Sequence, residues 1–184
     1  DEKTKIWALN PYATSKAFAH FLVGSFRKKH SLFACSAIFY NHESERRPPE
    51  FVTRKITQGA AKIKLGLKKK IELGNLEAKR DWGYAPDYVR AAWMMLQQKK
   101  ADDFVIATGE LHSVRDICKI AFTSLGLDYK KHVVVKKEFV RQEEPQKLVG
   151  NSDKAKRILN WQPELSFKEM IEKMTLYDLK SLQK

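Results

Sequence analysis

The sequence predicts an α/β protein on three observations. Segments with apolar residues at helical spacing alternate with short, nearly unbroken apolar runs. Hydrophobic residues make up 43% and aromatic residues 11% of the 184, enough for a sizeable core, which excludes a mainly disordered chain. No internal repeat or low-complexity linker breaks the alternation.

The elements follow in order. Pro11 suits a first helical turn and opens a helix predicted to run to about Lys29, with Phe18, Phe21, Leu22 and Phe26 on one face. That stripe fits a core and a partner surface equally well. Residues 32–40 read as a buried parallel strand. Val52, Ile56, Ala60, Ile63 and Leu67 recur at helical spacing, and residues 70–73 form a short strand closed by Gly74-Asn75. Pro86 opens a helix whose Val89, Trp93 and Leu96 are expected to face inward; residues 103–107 are another short strand. Residues 113–125 read as helix, 133–135 as strand and 152–159 as a short helix. Ser166 with Glu169 three residues on is a capping box ahead of apolar Met170, Ile171, Met174 and Leu179.

The formal charge of +13 comes from 35 Lys+Arg against 22 Asp+Glu. Lysines number 26 and arginines 9, and the lysines fall in pairs and triples at the ends of predicted elements. That is the pattern of solvated caps and turns, with a basic cleft for an anionic ligand as the other reading. Nucleic acid is not expected as a partner, since no zinc-finger spacing, aromatic RNA-binding motif or sustained heptad occurs. The longest apolar stretch, residues 17–26, is interrupted by His20 and falls well short of the roughly 20 residues a membrane span requires, so no membrane partner is expected either. The opening Asp-Glu-Lys-Thr-Lys carries no secretory leader pattern. Cys35 and Cys118 make no CxxC pair and no metal-ligand spacing, and a cytoplasmic location is expected.

Tyr12 and Lys16 stand four residues apart on the first helix, so phenol and ammonium project from one face a turn apart. An ammonium at that range stabilises a phenolate, the form needed to take a proton from a sugar hydroxyl. Alone, the pair also reads as a surface tyrosine beside a lysine.

The surrounding residues narrow the choice. Pro11-Tyr12-Ala13-Thr14-Ser15-Lys16 resembles the Tyr-x-x-x-Lys helix of the extended short-chain dehydrogenase/reductase family. Asn41-His42-Glu43-Ser44, Arg46-Arg47 and Phe51-Val52-Thr53-Arg54-Lys55-Ile56-Thr57 resemble its GDP-mannose 4,6-dehydratase branch. So do the run from Leu73-Gly74-Asn75 through Arg80-Asp81-Trp82-Gly83 to Tyr88-Val89 and the later Asn160-Trp161-Gln162-Pro163. The family pattern departs here in two places: Glu45 and Pro48-Pro49 follow the first motif, and Gln142 and Pro145 flank the positions of Arg141 and Glu144.

The resemblance implies a Rossmann-type fold with a mixed α/β substrate lobe. Residues 1–40 would be the last piece of the dinucleotide-binding domain, with 101–110 returning to its sheet, and residues 41–184 mainly the GDP-sugar-binding domain. It implies NADP as cofactor, GDP-mannose as substrate, a 4-keto-6-deoxy product and a homodimer or homotetramer. Tyr12 would be the base at the carbon-4 hydroxyl, with Lys16 assisting it and holding the nicotinamide ribose. His42 and Arg47 would also contact NADP; Asn41, Lys55, Arg80, Arg141 and Glu144 would hold the nucleotide of the substrate. A lyase acting on another GDP-sugar, such as a GDP-heptose, and a non-catalytic nucleotide-sugar-binding fragment are the alternatives. The eight glycines form no G-x-G-x-x-G. By the resemblance, that turn and the Ser/Thr and Glu of the elimination would precede Asp1, so the chain reads as the C-terminal half of such an enzyme.

Overall fold

The computed structural model describes residues 1–139 and 148–183. Helix α1 (Pro11–His30) is followed by strands β1 (Ser36–Phe39) and β2 (Asn41–Glu43) and helix α2 (Val52–Lys64). Strands β3 (Ile71–Leu73), β4 (Lys79–Arg80) and β5 (Trp82–Tyr84) lead into helix α3 (Ala85–Leu96). Strands β6 (Asp103–Ile106) and β7 (His112–Ser113), helix α4 (Val114–Thr123) and strand β8 (Val133–Val135) come next, then helices α5 (Asp153–Leu159) and α6 (Phe167–Leu182). The α/β class is thus realised, mostly through parallel pairs: β1 with β6, β2 with β5 and β3 with β8, while β4 and β7 run antiparallel.

Caps explain where the helices begin. Asn10 accepts the Ala13 amide at 2.8 Å, and Pro11 follows it at the first helical position of α1. Ser166 and Glu169 close a reciprocal capping box on α6, and Ser113 with Asp116 forms a second on α4.

Two hydrophobic clusters organise the interior. The larger joins α2, α4 and α6 over β3, with Ile56, Ile71, Ile117, Phe122, Met170 and Met174 almost wholly buried. The smaller joins α3, α5 and β6 through Tyr88, Met95, Phe104, Ile106 and Trp161. Cys118 lies in the larger one, where burial pushes its thiol up to about 12, and both cysteines are free. Among the described residues no helix is long and apolar enough to cross a membrane.

Three expectations need correction. The strand predicted over residues 32–40 starts only at Ser36, and it is half-buried rather than buried. Its partner β6 offers four residues, and the carbonyl of Ala34 is already taken by the Arg27 side chain at 2.6 Å. Leu67 lies beyond the end of α2 and is exposed. Val89, Trp93 and Leu96 face solvent, while Tyr88, Ala91 and Met95 face the core. The rotation of α3 is set by Asp87: its carbonyl accepts the Trp161 indole N–H at 2.9 Å, and its carboxylate accepts the Glu164 amide at 3.0 Å. Those bonds point position 87 and its neighbour 88 inward, one step round from the predicted face.

Candidate functional site

Helix α1 presents Tyr12 and Lys16 together. The Lys16 ammonium lies 5.7 Å from the centre of the Tyr12 ring, the i, i+4 spacing made real, and Tyr12 is 71% exposed. No residue of α1 is fully buried; Ala17, His20, Val23 and Gly24 are half-buried, and polar ties add to them at its far end. The Arg27 guanidinium pairs with Asp103 on β6, and the same carboxylate accepts the Ser36 amide at 3.1 Å. Burial raises the Asp103 carboxyl, but the Arg27 contact and the Ser36 amide outweigh it and hold the group below its ordinary value of 3.8. A depressed carboxylate stabilises the fold above its unfolded value and ceases to do so as pH falls through the folded one. Acidification through and below 3.8 is therefore expected to loosen α1. Circular dichroism should show a helical loss on acidification, and Asp103→Asn should already lack that component at neutral pH.

A separate cleft of about 490 Å³ gathers residues from distant segments. Asn41 of β2, Arg47 of the following loop, Lys55 in the first turn of α2 and Arg80 of β4 all line it, with Trp82, Asn75 and Phe139 completing the walls. Four of the residues singled out from the sequence thus meet at one place; Tyr12 and Lys16 are not among its lining. Arg141 and Glu144 lie outside the described residues.

Side chains alternate along β2, so Asn41 and Glu43 face the cleft while His42 turns away from it. The His42 ring stacks on Tyr88 at 5.4 Å and meets Phe39 edge-on. Its Nδ1 donates to the Tyr40 carbonyl at 2.9 Å, which fixes the ring. Gly83 stands opposite His42 in the parallel pair, and a Cβ there would come within 2.3 Å of the Tyr88 ring. Only glycine leaves the Tyr88 ring its place beneath His42.

Arg47 is held from three directions. Its guanidinium lies 3.5 Å above the Phe51 ring, and Nε sits 3.3 Å from the Glu43 carboxylate, close enough for charge pairing but out of line for a hydrogen bond. Its carbonyl accepts from Arg54 at 3.1 Å. Glu43 is buried and accepts the Thr53 hydroxyl at 2.5 Å; burial pushes its carboxyl up, and Thr53 and Arg47 pull it part of the way back. The loop carrying Glu45 and Pro48-Pro49 is well formed: Arg47 N–H donates to the Ser44 carbonyl, Phe51 N–H to that of Pro48, and the Tyr84 hydroxyl reaches Glu45 at 3.4 Å.

Sequence reasoning missed Asp81. It is fully buried between Arg80 and Trp82, and its carboxylate accepts the amides of Thr108, Gly109 and Gly150 and the Thr108 hydroxyl, at 2.6 to 3.2 Å. One side chain therefore ties the strand carrying Arg80 to two distant turns. The Arg80-Asp81-Trp82-Gly83 run was the available signal, but a turn-binding carboxylate has no spacing rule of its own. Arg54, which braces the Arg47 loop and forms a forked pair with Asp178 of α6, was likewise missed.

Chemically, the cleft sets two guanidinium groups, one ammonium and the amides of Asn41 and Asn75 beside two carboxylates, buried Glu43 and exposed Glu50. Two guanidinium groups and an ammonium gathered in one cleft suit a compact polyanion, a diphosphate above all.

The family model described as GDP-mannose 4,6 dehydratase matches residues 1–174. GDP-mannose 4,6 dehydratase 1 of Arabidopsis thaliana is 45% identical over 178 residues, covering 97% of this chain and 49% of its own length. The human GDP-mannose 4,6 dehydratase is 41% identical over 199 residues, covering 99% and 54%. The chain thus spans about half the length of the curated relatives it matches. Among solved structures, RMD from Pseudomonas aeruginosa complexed with NADPH superposes with a TM-score of 0.90 at 20% identity, over 98% of this chain and 60% of that one. dTDP-glucose 4,6-dehydratase from Bacillus anthracis in complex with NAD gives 0.86 at 20% identity, over 100% and 56%. These two likenesses establish the extended Rossmann-type fold.

Proposed function

Since the chain belongs to the GDP-mannose 4,6 dehydratase family, we propose that it is the substrate-binding part of an enzyme that converts GDP-mannose to GDP-4-keto-6-deoxymannose, a lyase reaction. The observation that carries this reading is the convergence of Asn41, Arg47, Lys55 and Arg80 on one cleft from segments far apart in the sequence. Arg80 and Lys55 neutralise the diphosphate, and Asn41 orients the nucleotide from β2. Residues 1–40 belong in this reading to the cofactor domain, and the rest mainly to the substrate domain.

The residues present fit part of a nicotinamide dinucleotide site. Arg47 keeps a buried Nε without a hydrogen-bond acceptor, as an anion-binding guanidinium would, and His42 stands locked one residue before Glu43 on the same strand. When bound, NADP supplies hydride acceptance and return between sugar carbons 4 and 6. Tyr12 accepts the proton of the carbon-4 hydroxyl through its phenol oxygen, and Lys16 stabilises the phenolate from one turn away. His42 and Arg47 position the cofactor.

Replacing Arg80 by Lys keeps the charge and loses the fork, and is expected to weaken GDP binding by about tenfold. Titration calorimetry with GDP tests this; equal affinities would make Arg80 a structural residue and remove the main support for the cleft as a nucleotide site. A second reading, dehydration of another GDP-sugar, follows from the roles assigned above: Asn41, Lys55 and Arg80 answer to the nucleotide and Arg47 to the cofactor, and none of the four reads the sugar. Comparing turnover of GDP-mannose with that of other GDP-hexoses separates the two.

A further inference from the structure

Six of the 26 lysines, all at element ends or turns, gather at one edge of the fold. Strands β3 and β8 pair in parallel with Ile71 opposite Val133 and Leu73 opposite Val135, so the chain enters both from the same edge. The Ile71 amide donates to the His132 carbonyl at 2.8 Å, and the His132 ring bonds the Lys69 carbonyl at 3.0 Å. Lys68, Lys69 and Lys70 are thereby set beside Lys130 and Lys131, sixty residues on, with Lys64 at the end of α2 just before them.

All six are exposed, and none belongs to an ion pair among the described residues. Of the nearby acids, Glu72 pairs with Lys136, and Asp128, which accepts the Lys130 amide, leaves five or more positive charges in excess. The opposite ends of the same strands lead into the cleft, which Leu73, Gly74 and Phe139 line. This edge therefore faces away from the site described above, and its charge serves no group there.

We propose that this edge docks the protein on an anionic lipid surface. Two features favour a bilayer over a nucleic acid. The cluster contains only lysines, compact charges attracted to any anionic plane, and lacks the arginine forks that grip individual phosphates and stack on bases. In its midst Leu67 is 65% exposed, carried outward on the turn made by Gly66 at φ +73°. An apolar side chain ringed by ammonium groups suits the headgroup boundary, where it enters the acyl layer while the lysines stay at the surface. The absence of a membrane-spanning helix, from which no membrane partner was expected, does not bear on surface docking.

The test is co-sedimentation of the chain with phosphatidylcholine vesicles, with and without about a third phosphatidylserine. Each lysine at such a surface raises partitioning by about fivefold, so replacing Lys68, Lys69 and Lys70 together by Glu should lower binding to the anionic vesicles at least about a hundredfold. Leu67→Ser should lower it by several-fold at unchanged salt dependence, and circular dichroism of both variants should match the parent, since every changed side chain is exposed. Binding that is equal on neutral and anionic vesicles, or that survives the triple change, overturns the proposal. So does displacement from anionic vesicles by duplex DNA at equal phosphate concentration, which would make the edge a nucleic-acid surface.

Discussion

In the dehydratase proposed above, Tyr12→Phe should leave GDP-sugar affinity nearly unchanged and reduce turnover by at least about a hundredfold, the lower range for loss of a general base and about 2.7 kcal/mol in barrier height. The phenol oxygen is the only atom removed. Tyr12 is exposed on a helix without buried residues, so the change costs the fold almost nothing and the effect reads out chemistry. The assay is formation of the 4-keto-6-deoxy product, set against calorimetric affinity for the GDP-sugar. Near-normal turnover would exclude Tyr12 as the base, and Lys16 would then be no more than its neighbour across 5.7 Å.

Asp178→Ala is expected to cost about 3 to 5 kcal/mol of stability, the range for stripping one partner from a buried ion pair. Asp178 accepts both Nε and Nη2 of Arg54 as well as the Thr57 hydroxyl at 2.7 Å, and both charged side chains are almost fully buried. The alanine variant leaves a guanidinium inside the protein with no counter-charge. Urea unfolding would show a fall in midpoint at unchanged slope. A loss below about 1 kcal/mol would mean that water reaches Arg54 and that the pair is effectively a surface one. Because Arg54 also holds the Arg47 carbonyl, the double change Arg54→Met, Asp178→Leu should recover much of the stability and still weaken the Arg47 loop.

The helix ends were legible because their signals are local. Pro11 and the Ser166/Glu169 box each fix a boundary within a few residues of themselves. The phase of α3 was not legible. Its sequence carries apolar residues on two faces, Tyr88, Ala91 and Met95 on one and Val89, Trp93 and Leu96 on the other, so periodicity alone could not choose. The choice was made by Asp87, whose partners lie more than seventy residues away. Strands β2, β4, β5 and β7 are two or three residues long and leave no alternation to detect, although two of them carry Asn41 and Arg80. The Tyr12/Lys16 pair could be read from spacing. The cleft residues could be named only through resemblance, since their meeting depends on strand pairing across forty positions.

Asp81 has a consequence for exchange with solvent. The amide protons of Thr108, Gly109 and Gly150 are held by the two oxygens of this one carboxylate, and each can be replaced by deuterium only when that carboxylate lets go. Sites 27, 28 and 69 residues distant from Asp81 thus share a single latch. The turns that border the strand of Arg80 are therefore expected to open to water together, and hydrogen exchange should show the amides of Thr108, Gly109 and Gly150 losing protection in one step when Asp81→Asn weakens the latch beside the guanidinium proposed to hold the substrate's diphosphate.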